Sequence, residues 1–174
     1  MATLESIGIS AKPLAADGLQ RLYLDDVHAY VSRRVPNRED AEDATAETFA
    51  AAFAHLKRLR GNDPRVWLIG IARKKVADVY RKRGGFIEVS LDQLHDVEAL
   101  DASQPEDLLE IRNLILALPE DQREALMLQH IEGFSQRDIA KIMRKSKAAV
   151  NGLQQRGRAS VLRSGKSFFL PEDK

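Results

Sequence analysis

SQRDIAKIMRKSKAAVNGLQQRGR, residues 135–158, decides the fold of this chain. Ser135 is placed to cap a helix, with Asp138 three residues on as a short capping box. Ile139, Ala140 and Met143 give that helix an apolar face. Ser146 is placed to cap a second helix after only a tight turn, with Val150, Leu153 and Val161 as its apolar positions. Two short helices joined so closely describe a helix-turn-helix. The charge agrees: from Ser135 to Lys166 there are nine Lys or Arg and one acid, Asp138. A lopsided basic face on such a hairpin is the electrostatic footprint of a DNA binder. The alternative is a solvated basic face on an ordinary helical hairpin.

Moving outward, the chain of 174 residues carries a net charge of only +1 and sorts its charge into blocks. Glu39 to Glu47 holds five acids and no base, and Lys57 to Arg83 holds ten bases and two acids. Glu88 to Glu110 holds eight acids and no Lys or Arg, before the basic C-terminal block. Alternating signs over such lengths suggest surfaces with different partners. There is no cysteine, which removes disulfides, thiol catalysis and Cys-ligated zinc. No apolar run approaches the roughly 18 residues that span a bilayer, and the first residues lack the basic-then-apolar order of a secretory signal. The expectation is a cytoplasmic chain with no membrane insertion.

Helical spacing runs through the rest. After an N-terminal arm, residues 1–16, a first helix spans about Asp17 to Arg34, with Leu19, Leu22, Tyr23, Val27, Tyr30 and Val31 along one side. Asn37 caps a second, whose apolar positions are Ala41, Ala44, Thr48, Phe49, Ala52, Phe53 and Leu56. Its early acids and late bases suit the helix dipole. Asp63 caps a third with Pro64 at its first position, ending at Gly84-Gly85. Residues 86–104 are an acidic candidate linker, in which Val89, Leu91, Leu94 and Val97 fit a short helix or a strand. Further helices span about 105–118 and 119–131, and the helix-turn-helix follows. The fold class is all-α: two small helical domains, 17–85 and 105–166, joined by the linker, with a tail over 167–174.

At this point the pattern becomes familiar. EDAEDATAETFAAAFAHLKRLRG (39–61), PRVWLIGIARKKVADVYRKR (64–83) and LILALPEDQREALMLQHIEGFSQRDIAKIM (114–143) together closely resemble an extracytoplasmic-function sigma factor of the sigma-70 family. The resemblance covers roughly Leu14 to Arg163. It implies two domains: a region 2 domain that binds the polymerase clamp and the minus-ten element, and a region 4 domain that binds the minus-thirty-five element. It implies no chemistry of the chain's own and no cofactor or metal. The implied partners are core RNA polymerase, promoter DNA and an anti-sigma factor.

Carried over residue by residue, Asp40, Asp43, Glu47, Thr48 and Phe49 sit where the family's helix meets the polymerase clamp. Phe49 and Phe53 also read as core. Ala46 stands where the family often has Gln. Arg60, Asn62, Trp67, Arg73, Lys74, Lys75 and Arg81 fall in the strand-opening and minus-ten segment. Aromatics there stack on opened bases, although Trp67, Leu68, Ile71 and Ala72 share one helical face and so also read as core. Arg144, Lys147, Asn151, Gln155, Arg156 and Arg158 fall in the minus-thirty-five reader. Arg144 stands where a Gly is common in the turn, Gln154 where a Leu is usual, and Gly152 and Gly157 weaken the second helix by about 1 kcal/mol each relative to Ala.

Two other readings stay open: a sigma-like decoy that sequesters an anti-sigma factor, and a simple helix-turn-helix repressor. A repressor has no need of the acidic helix or the Trp67 helix. An enzyme with a carboxylate metal site is disfavoured, because no Glu-x-x-His occurs and His28, His55, His95 and His130 are scattered.

Overall fold

The computed structural model describes residues 16–59, 63–84 and 113–163. Six α-helices of eight or more residues lie within them: α1 Ala16–Ser32, α2 Arg38–Ala54, α3 Pro64–Lys82, α4 Glu120–His130, α5 Gln136–Met143 and α6 Lys147–Arg163. A 3-10 turn, Leu56–Leu59, follows α2. No strand occurs among the described residues. The expected segment 86–104 lies outside them, as does most of the helix expected over 105–118.

The starts follow from local chemistry. Asn37 Oδ1 accepts from the Asp40 amide at 2.8 Å, and Asp63 Oδ1 accepts from the Arg65 and Val66 amides with Pro64 behind it. Ser135 Oγ accepts from the Asp138 amide at 3.2 Å, and Ser146 Oγ from that of Ala149 at 3.1 Å. Each such cap contributes about 1 kcal/mol. Gly133, at φ 72°, lets the chain leave α4 and turn toward α5.

Helices α1, α2 and α3 pack on one another, as do α4, α5 and α6, and α5 also packs on α3. The two triplets therefore share one apolar core. Leu19, Val27, Tyr30, Val31, Phe49, Leu68 and Ile69 from the first are continuous with Leu128, Ile139, Ile142 and Val150 from the second. Leu22 departs from expectation: it is 52% exposed. The buried face of α1 runs through positions 19, 27, 30 and 31, with Tyr23 partly buried beside it, and Leu22 lies off that line.

Candidate nucleic-acid interface

The acidic face of α2 is tied to α3. Asp40 lies 2.6 Å from Arg83, and Glu47 accepts from Lys75 and Lys82 at 3.1 and 3.3 Å. Those two hydrogen bonds lower the pKa of the Glu47 carboxyl. Asp43 is exposed. Thr48 and Phe49 are not: they are 0% and 3% exposed, and the Thr48 hydroxyl donates to the Ala44 carbonyl. The expectation that they present a contact surface is corrected in that respect. They fix α2 on the core beneath the acids, because they share the inward stripe with Ala41, Ala44 and Ala52.

On α3, Trp67 and Ile71 are partly buried at the edge of the core, and Leu68 and Ala72 are fully buried. Trp67 thus packs as one of its two sequence readings had it, and it also borders a cleft of about 550 Å³. The walls of that cleft come from α2, α3 and the α5 end of the helix-turn-helix. Lys74 is exposed on its edge. Lys75 is held by Glu47, and Arg81 pairs with Asp78 one turn back. Arg73 faces Asp121 of the second triplet at 3.6 Å. Arg60 and Asn62 lie outside the described residues.

The helix-turn-helix forms as read from sequence. Arg144 caps α5 at φ 55°, ψ 43°, the left-handed conformation that favours Gly. Lys147, Asn151, Gln155 and Arg156 are all exposed along α6. Arg158 turns inward instead and donates to Gln129 Oε1 at 2.9 Å. Gln154 is 2% exposed, accepting from Gln136 and donating to the Ala125 carbonyl, so the polar residue in a Leu position is satisfied rather than orphaned. Gly157 is a packing residue: a Cβ there would meet Leu126 Cδ1 at 2.8 Å.

A buried polar cluster between the triplets was not foreseen. Tyr30 donates its phenol to Glu124 Oε1 at 2.6 Å. Arg34 donates to Glu124 Oε2 at 2.8 Å and to Glu132 Oε1 at 3.1 Å, and stacks 3.7 Å from the Tyr30 ring. Arg33 grips both oxygens of Glu132, and Arg65 bonds the Glu132 carbonyl and stacks on Phe134. Burial, then the neighbouring Glu124 charge, push the Tyr30 phenol well above the usual tyrosine range. Burial also works against the Arg34 charge, but Tyr30, Glu124 and Glu132 more than offset it. The sequence did carry a signal. Glu124 directly precedes the apolar run Ala125–Leu128 of α4, and an acid on an inward face needs a buried partner.

No helix among the described residues is long and apolar enough to cross a membrane, and no group of acids and histidines among them is arranged to hold a metal.

The chain matches two family descriptions, Sigma-70 region 2 over residues 19–86 and Sigma-70, region 4 over residues 108–161. It is 30% identical over 169 residues to the ECF RNA polymerase sigma factor BldN of Streptomyces coelicolor, covering 91% of this chain and 62% of that protein. It is 25% identical over 149 residues to the ECF RNA polymerase sigma factor SigM of Bacillus subtilis, covering 83% of this chain and 91% of that one. In fold it resembles the sigma factor RpoE of Bartonella quintana, solved in complex with the anti-sigma factor NepR. The TM-score there is 0.63 at 23% identity, over 84% of this chain and 96% of that one.

Proposed function

Because this chain belongs to the sigma-70 family, in its extracytoplasmic-function branch, we propose that it is a promoter-specificity subunit of bacterial RNA polymerase, working in the cytoplasm. Core polymerase, promoter DNA and an anti-sigma factor are its partners. The α2 acids engage the polymerase clamp: Asp43 is exposed for this, and Asp40 and Glu47 exchange their lysine and arginine partners for those of the clamp. Charge steering of this kind speeds the encounter. The α3 helix then takes the minus-ten element, with Lys74, Lys75, Arg73 and Arg81 along the phosphates and Trp67 against an unstacked base. The α6 face lies in the major groove of the minus-thirty-five element, read by Asn151 and Gln155 with phosphate contacts from Lys147, Arg144 and Arg156.

The observation that carries this reading is the exposed Lys147–Asn151–Gln155–Arg156 face on a helix-turn-helix that follows a region 2 match on the same chain. A simple repressor has no use for the first half.

One step follows from distance. Elements at minus ten and minus thirty-five lie about 25 base pairs apart, about 85 Å at 3.4 Å per pair. With α5 packed on α3, the two readers cannot reach both at once. Engagement therefore requires the triplets to separate, and the Tyr30–Arg34–Glu124–Glu132 cluster is what must part. Binding to purified core polymerase, with and without Asp43→Lys, tests the assignment. Tight binding weakened by the charge reversal supports it, and an absence of core binding contradicts it.

A further inference from the structure

The cleft between α3 and α5 has the composition of a small-molecule site. Its apolar floor is built from Val66, Trp67, Ile71 and Ile142, and its edge carries Lys74 from one triplet and Lys141 and Arg144 from the other. About 550 Å³ lies within the range of ligand pockets and is compact for a strand of nucleic acid or a helix. Gly70 borders the same space, and a Cβ built on it would meet nothing within 4 Å. Two carboxylates also line the cleft, but Asp63 caps the start of α3 and Asp78 pairs with Arg81. An indole plane beside lysines and an arginine from opposite walls therefore still suits a planar aromatic group joined to several negative charges. Aromatic rings stack on Trp faces, and Lys and Arg hold phosphates.

We propose that this cleft binds a nucleoside polyphosphate, its base against Trp67 and its phosphates between Lys74, Lys141 and Arg144, and that the bound ligand holds the two triplets together. The binding itself is independent of the transcription role. Its consequence rests on that role: a ligand that needs both walls favours the closed chain by mass action, about 100-fold when present at 100 times its dissociation constant. The free chain would then respond to nucleotide level before any protein partner acts.

The chain contains a single tryptophan, Trp67, so its fluorescence reports the site directly. The full chain is titrated with ATP, with GTP, with inorganic pyrophosphate and with a short single-stranded oligodeoxynucleotide. The expected result is a saturable change with at least one triphosphate, half complete below about 1 mM, an affinity of modest size. Gly70→Leu, whose Cβ meets nothing within 4 Å and whose longer side chain takes up cleft space, is expected to weaken it at least 10-fold at unchanged helix content. Lys141→Glu, on the surface, is expected to do the same. The proposal is overturned by no saturable change with either triphosphate, by pyrophosphate acting as well as the nucleotides, by the oligonucleotide acting where triphosphates do not, or by both variants binding like the parent.

Discussion

The phenol of Tyr30 donates a 2.6 Å hydrogen bond to Glu124 Oε1, ninety-four residues further along the chain, and Arg34 binds the other oxygen of the same carboxylate at 2.8 Å. Arg34 Nη2 finds no partner among the described residues. A buried ion cluster of this kind adds little net stability over apolar packing, but removing one member strands the others. It therefore acts as a latch that is either complete or costly.

Glu124→Ala should release the latch. Tyr30 then loses its acceptor and Arg34 keeps only Glu132 as a carboxylate partner, a cost of up to about 3–5 kcal/mol, and separation of the triplets avoids that cost by returning both groups to water. Distance labels at Asp78 and Gln155 measure it. The separation is expected to widen in the variant, and an unchanged separation contradicts the latch.

Alkaline pH should do the same to the parent chain. The Tyr30 pKa is raised in the folded state, so its contribution is fully present below the unfolded value of about 10 and is lost as pH rises through the folded value. Comparing the parent with Tyr30→Phe between pH 8 and the alkaline limit of folding isolates this residue from other titrations. The parent is expected to lose stability relative to Phe above about pH 10. Parallel profiles contradict the assignment.

Three substitutions in the helix-turn-helix should differ in sign. Gly157→Ala forces a Cβ to 2.8 Å from Leu126 Cδ1 in a buried site, and overpacking of about 1–3 kcal/mol outweighs the gain of about 1 kcal/mol in helix propensity. Gly152→Ala meets only the mobile end of Arg156 at 3.2 Å and should stabilise by about 1 kcal/mol. Arg144→Gly relieves the left-handed backbone and should stabilise by about 1 kcal/mol. Urea denaturation of the three variants checks the order.

Gln155→Ala should cost about 1–3 kcal/mol on the preferred upstream element and relax preference at one base pair. Asn151 and Gln155 lie one turn apart on the exposed face, where each can bond adenine N6 and N7. Lys147→Ala should weaken all sequences alike and flatten the salt dependence. Titrations against a promoter library measure both. Unchanged base preference in the Gln155 variant contradicts the readout.

Local chemistry was legible in the sequence, and long-range chemistry much less so. Asn37, Asp63, Ser135 and Ser146 announced their helices because a cap acts within three residues. The left-handed backbone of Arg144 falls where the family resemblance places a Gly, so there the hint came from the resemblance and not from a cap. Leu22 was misassigned because its hydrophobicity fits a stripe that its angular position on α1 does not. Gly157 read as a flaw and is a close-packing requirement, because Leu126 lies across from it only after folding. Among the site residues, the acids of α2 and the amides of α6 stood out by charge and spacing. The inward turn of Arg158 and the latch at Glu124 depend on which helices meet.

Run-off transcription with purified core RNA polymerase, on a library of promoter fragments, tests the central claim most directly. The chain is expected to direct specific transcripts from fragments that carry a paired upstream and minus-ten element, and the Asp40→Lys, Asp43→Lys double variant is expected to lose them through weaker core binding at nearly unchanged helix content. Failure of the chain to bind core polymerase or to yield any specific transcript would contradict the account.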